Sequence, residues 1–271
     1  MSILNKNLPI AFFDSGIGGL TVYKLFRELL PNEDCIYLGD TANLPYGNKT
    51  KEQLIGFTEK IFGFFETQNV KAVIMACNTT SAAVYDTVKN KYPFKIYPII
   101  QTCAKAIGEE KIAKLGVFAT QATVNSNVYE TEIKKYSPKT EFLSIACPGW
   151  VEIVEGGEKS LNDSKSVELV NRYLSEMLEF APDKIILGCT HYPYLRSIIS
   201  DLIQKNSREI DLIDPAKYFV KNIKTDLEKS DLLNDKIQKG DEIFYASNEP
   251  EKFKNNAKIF YEITSSVNLW N

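Results

Sequence analysis

Histidine occurs once in this 271-residue sequence, at position 191. With one imidazole and no CxxC pair, a closed structural zinc site is excluded, and no metal is expected. No run of about 18 apolar residues appears, which excludes a membrane-spanning helix. No basic block stands out and the net charge is −3, so no nucleic-acid partner is expected. The start, MSILNKNLPI, lacks a charged end followed by an apolar signal core, and the expected location is cytoplasmic. Disulfides rarely persist there. The five cysteines, Cys35, Cys77, Cys103, Cys147 and Cys189, are therefore expected as free thiols. Hydrophobic residues make up 44% and charged residues 25%, as in ordinary soluble globular proteins. The length allows one large or two ordinary domains.

What is present is a regular alternation. Short apolar runs read as strands at Pro9–Phe13, Cys35–Leu38, Ala72–Met75, Lys95–Ile99, Leu115–Phe118, Glu141–Ile145, Lys184–Leu187, Asp211–Ile213 and Glu242–Tyr245. Segments with helical apolar spacing lie between them: Leu20–Leu30, Glu52–Glu66, Ser81–Lys91, Lys165–Phe180 and Pro250–Tyr261. Such alternation predicts an α/β fold with parallel sheets covered on both faces. Ligands of these folds bind outside the carboxyl ends of the strands. The polar stretch Glu155–Ser166 reads as a loop.

Two strand ends look alike, ACNTT around Cys77 and GCTHY around Cys189; a weaker likeness links IAFFDSGIGG to LGVFATQATV. The pattern predicts two similar, doubly wound parallel-sheet lobes related by a pseudo-two-fold axis, with the active site in the cleft between them. The first lobe is expected to comprise residues 1–99 plus 211–271 and to carry Asp14 and Cys77. The second is expected to comprise residues 100–210 and to carry Cys189 and His191.

Each motif has a bland reading beside the functional one. DSGIGGLTV has Gly16 and Gly18 where a dinucleotide fingerprint wants them, but Thr21 in its third glycine position. Asp14 would also repel a diphosphate. The alternative is a tight turn whose glycines supply unusual dihedrals. Pro45 and Gly47 bracket Tyr46 in what is either a plain turn or the mouth of a cleft. Cys77 is either a small hydrophobe or a thiol whose pKa a helix N-terminus depresses. Cys189 beside His191 fits a hydrolytic dyad, but that leaves the second strand-end cysteine without a task. A phosphatase loop needs five residues between Cys and Arg, and Cys189 to Arg196 leaves six. Cys35, Cys103 and Cys147 read as structural.

Two facing thiols suit inversion of a stereocentre. One base removes a Cα proton from one face while a conjugate acid delivers a proton to the other, and the roles exchange in reverse. Thiols have a pKa near 8.5, tunable by neighbours. Asp14 is then expected to assist Cys77, and His191 to assist Cys189.

At FDSGIGGL, GDTANLPYGNK, ACNTTSA, ATQATVNS and LGCTHYPYL the chain closely resembles the cofactor-independent aspartate/glutamate racemases, and the tail YASNEPEKF also resembles the family's end. Aspartate-specific members usually carry an acid after the second Cys-Thr, so His191 points to the glutamate branch. The resemblance implies reversible conversion of L- to D-glutamate that feeds peptidoglycan synthesis, with no cofactor. By position, Cys77 resembles the base for the D enantiomer and Cys189 the base for the L enantiomer. Asp14, His191 and Glu155 match assisting residues. Ser15, Pro45, Tyr46, Gly47, Asn78, Thr79, Thr120, Thr123 and Thr190, with Asp14, both cysteines and His191, match positions that hold the substrate. A homodimer is the expected assembly. The chain departs from the usual pattern at Gln101-Thr102-Cys103, where Glu-Pro-Gly is frequent, at Ala119 in place of Gly, and at Glu152 in place of Pro.

Overall fold

The computed structural model describes residues 5–271; residues 1–4 of the expected first lobe lie outside them. Ten strands form two wholly parallel sheets among the described residues. They are β1 (Ile10–Asp14), β2 (Cys35–Gly39), β3 (Ala72–Met75), β4 (Lys95–Pro98), β5 (Lys114–Ala119), β6 (Glu141–Ala146), β7 (Lys184–Gly188), β8 (Asp211–Ile213), β9 (Glu242–Ala246) and β10 (Val267–Leu269). The first sheet has the order β10-β9-β2-β1-β3-β4 and the second β6-β5-β7-β8. The run β2-β1-β3-β4 and the run β6-β5-β7-β8 share one winding pattern. The two halves therefore repeat each other, with β1 matching β5 and β3 matching β7.

The strands are apolar because helices cover both faces. Every residue of β1 is buried. On one face, Phe12 meets Tyr23 and Phe26 edge to face at 4.9 and 5.0 Å between ring centres. On the other, Phe13 meets Phe62 of the helix Lys51–Thr67, which starts at a reciprocal Thr50/Gln53 cap. In the second lobe Trp150 packs on Phe118 and Tyr192, each at 4.9 Å. That aromatic cluster fixes the helix Trp150–Glu155 against the segment following Cys189.

The chain crosses to the second sheet through the helix Ile99–Glu109 and returns through the helix Pro215–Lys229. The two crossing helices pack on each other, and Asn222 donates to the Thr102 carbonyl at 2.7 Å. Several expectations need correction. Asp211–Ile213, assigned to the first lobe by sequence, pairs with β7; it covers what would be an open sheet edge, so the return starts after Ile213. The segment Glu155–Ser166 is not a loop but holds the short helix Gly157–Leu161 and the start of the helix Ser164–Phe180. Ser81–Lys91 is not one helix: Asn78–Ala83 and Tyr85–Val88 meet at Val84.

Candidate active site

In each lobe the chain leaves its first strand toward one side and later returns to the other. This topological switch opens a crevice at the carboxyl ends of β1 and β3, and again at β5 and β7. The residues placed there are Asp14 at the end of β1, Cys77 just after β3, Thr120 just after β5 and Cys189 just after β7. The two crevices face one partly open cavity of about 70 Å³.

Ser15, Pro45, Tyr46, Gly47, Cys77, Asn78, Thr79, Thr120, Cys189, Thr190 and His191 all line that cavity. Asp14, Glu155 and Thr123 stand behind the wall. Tyr46 does not offer its hydroxyl to the cavity; it donates to Asp40, so only its ring and backbone face inward. Asn78 accepts from the Tyr129 hydroxyl at 2.6 Å, which leaves its amide hydrogens for a ligand. Thr79 and Thr120 join hydroxyl to hydroxyl across the lobes at 2.9 Å, and Thr123 backs Thr120 at 3.0 Å. Leu44, Asn48, Gln121, Cys147, Pro148, Gly149, Val151 and Glu152 also reach the wall. The Cys147-Pro148-Gly149 turn follows β6, so the same strand-end rule points to it from sequence.

The glycines of the DSGIGG turn act by closeness rather than by unusual dihedrals. None of Gly16, Gly18 and Gly19 has a positive φ. A Cβ on Gly18 would lie 2.5 Å from the His191 ring and from Thr190 Oγ1. Glycine therefore lets the first-lobe turn dock on the second-lobe segment that carries the histidine.

Behind the wall runs a polar chain. Thr190 Oγ1 donates to Asp14 Oδ1 at 3.3 Å, and the Gly16 amide donates to Asp14 Oδ2 at 3.1 Å. Cys189 Sγ lies 3.8 Å from His191 Nδ1, and His191 Nε2 lies 2.7 Å from Glu155 Oε1. Burial alone would lower the His191 pKa, but hydrogen bonds to Cys189 and Glu155 and their charges hold it well above 6.5. For Asp14, burial raises the pKa, against the opposing effects of His191 and of hydrogen bonds from Gly16, Gly19 and Thr190. Cys77 differs from its sequence expectation. Burial pushes its thiol up to about 12, Asp14 and Cys189 add to the rise, and hydrogen bonding to Thr80 opposes it. The helix it caps has six residues, and that short dipole does not outweigh desolvation. Asp14 thus acts on Cys77 through its field, while its hydrogen bonds go to Gly16 and Thr190.

Among the described residues no group of three or more His, Cys, Asp or Glu side chains could hold a metal ion, and no helix is long and apolar enough to cross a membrane. The cavity instead offers two thiols from opposite lobes, an imidazole charged beside one of them, and a ring of amide and hydroxyl donors.

Residues 18–223 match the family model described as Asp/Glu/Hydantoin racemase. A glutamate racemase of Thermoanaerobacter sp. is 38% identical over 93% of this chain and 92% of its own length. One from Fusobacterium nucleatum is 39% identical, covering 94% of each. The crystal structure of glutamate racemase from Francisella tularensis in complex with D-glutamate superposes with a TM-score of 0.89, at 33% identity, over 98% of both chains. A two-lobed fold with a cysteine at each lobe's switch point, matched along nearly the whole length, places this chain in the Asp/Glu/hydantoin racemase family.

Proposed function

We propose that the protein is a glutamate racemase that interconverts L- and D-glutamate by two-base proton transfer at Cα. The observation that carries the proposal is the pair of strand-end thiols, Cys77 and Cys189, on opposite lobes of one small cavity. Ser15, Asn78, Thr79, Thr120 and Thr190 supply donors for the carboxylates of a dianionic substrate, which is held without an arginine in the cavity wall.

From L-glutamate, Cys189 takes the Cα proton. The His191 imidazolium beside it stabilises the thiolate, and Glu155 stabilises the imidazolium. Cys77, kept as a thiol by burial and by Asp14, delivers a proton to the opposite face. In the reverse direction the roles exchange. The substrate ammonium, once in the cleft, offsets the burial that otherwise keeps Cys77 neutral. The assignment of enantiomers to cysteines rests on the family resemblance, as do a supply of D-glutamate to peptidoglycan synthesis, a cytoplasmic location and a homodimer. Light scattering tests the last: a mass of one chain would contradict it.

The Cys189–His191–Glu155 chain also has the form of a nucleophile with its base and orienting acid. As a hydrolase it would leave Cys77 idle. A panel of both enantiomers of glutamate and aspartate, with and without each cysteine, separates the readings. Glutamate turnover that needs both thiols supports racemisation. Faster aspartate turnover would reverse the substrate choice, binding of glutamate without Cα exchange would indicate a non-catalytic binding protein, and a stable acyl adduct with indifference to Cys77 would indicate hydrolysis.

A further inference from the structure

The cavity shared by the two thiols has a floor and a rim. Cys77, Asn78, Thr79, Cys189, Thr190 and His191 are buried and form the floor. Asn48, Gln121, Pro148 and Glu152 are exposed and form the rim. Among the described residues Glu152 is the one carboxylate on the cavity wall, and no lysine or arginine stands on that wall to balance it. Among the same residues no ion pair holds it. The backbone beneath it is fixed, because Trp150 packs on Phe118 and Tyr192 and because Ile153 and Val154 of the same helix are buried. Position 152 is also one at which the sequence departs from the pattern it resembles, and the two-thiol scheme gives it no task.

We propose that Glu152 is a specificity-determining residue, whose unpaired carboxylate at the mouth sorts ligands by net charge. Glutamate carries two carboxylates and one ammonium, and so one net negative charge. A dicarboxylate of the same length without the ammonium, such as glutarate, carries two. Amide and hydroxyl donors on the floor serve the carboxylates of either molecule. Repulsion at the rim tells them apart, because it grows in proportion to ligand charge. A unit charge roughly 10 Å away in water weakens binding of a monoanion by about twofold and of a dianion by about fourfold. Glu152 thus weakens the binding of glutamate somewhat and that of competing dianions more. Both enantiomers carry the same charge and are affected alike. The residue touches no reacting atom; it acts through its field on what enters the cleft.

The charge filter rests on the racemase reading and has its own signature. Racemisation by the wild-type protein, Glu152→Gln and Glu152→Asp is followed from both enantiomers, with glutarate as competitor. Each assay is run at low ionic strength and again at about 1 M salt, where the Debye length is about 3 Å. At low ionic strength Glu152→Gln is expected to lower KM for L- and D-glutamate by about twofold, with kcat kept, and to lower the glutarate inhibition constant by about fourfold. Glu152→Asp, which keeps the charge, is expected to behave as wild type. At high salt the differences between Glu152→Gln and wild type are expected to vanish. Equal changes in the two constants, no change in either, changes that persist at high salt, or glutarate that does not compete in Glu152→Gln would each overturn the charge filter and leave the racemase standing. No turnover of either enantiomer by the wild-type protein overturns the racemase reading and the charge filter with it.

Discussion

A buried thiol in the field of a carboxylate resists ionisation, and Cys77 is such a thiol. Its partner differs chiefly in what stands next to it: Cys189 has an imidazole at 3.8 Å. The proposed two-base scheme requires both, so Cys77→Ser and Cys189→Ser are each expected to lower racemisation by about 10²–10⁴-fold with the circular dichroism of the fold retained. His191→Asn provides a second check. Because a racemisation has an equilibrium constant of one, kcat/KM must fall equally in both directions, while kcat splits between them. Unequal kcat/KM losses would show that something other than racemisation is being assayed. Outside the site, Cys35 is buried and its thiol is raised from 9.0 to about 12, mainly by burial. Between those pH values the unfolded chain has lost this proton and the native state keeps it. The contribution is intact below pH 9, falls as pH rises, and is gone above about 12. In urea denaturation over that range, Cys35→Ala is expected to remove a slope of about 1.4 kcal/mol per pH unit; an unchanged slope would contradict the assignment.

Among the elements, the strand-to-helix turns line the cavity, and their details decide contact between the lobes. Gly18 sits where any Cβ would strike His191 and Thr190. Gly18→Ala is expected to displace the imidazole and lower kcat by roughly 10²-fold, the scale of a small misplacement of a catalytic group. Activity near wild type would show that the turn can yield. Thr120 caps the helix Gln121–Ser126, accepting from the Thr123 amide. Thr120→Ala is expected to cost about 0.5–2 kcal/mol in urea denaturation, and Thr120→Ser to restore most of it.

At the same scale, what was legible in the sequence depended on the signal each element carries. Buried parallel strands are continuous apolar runs, so β1, β2, β3, β5 and β7 stand out within a residue or two. The edge strand β10 has three residues, two of them exposed, and gives no such run. The crossing helix Ile99–Glu109 begins directly after β4, so its first apolar residue merges with the strand reading. Gly156 and Gly157 suggest a loop, yet Gly157 alone takes a positive φ and the chain resumes a helix at once.

For the whole molecule, the repeat of one winding pattern explains why two cysteines far apart in sequence share a cavity. Each occupies the same place in its own lobe, and the packed crossing helices bring the lobes together. The residues at strand ends were legible because topology dictates that ligands gather there. Glu155 had no such strand-end signal: it ends a helix, its assisting role was implied only by the family resemblance, and the 2.7 Å contact with His191 gives that role its geometry. The Tyr46 hydroxyl, turned toward Asp40, was likewise beyond a one-dimensional reading.

The most direct test is proton NMR of L-glutamate with the purified protein in heavy water, without added cofactor, followed by circular dichroism of the same sample. Loss of the α-proton signal together with decay of the ellipticity to zero is expected. An α-proton signal that persists, with ellipticity unchanged, would contradict racemisation of glutamate by these two thiols.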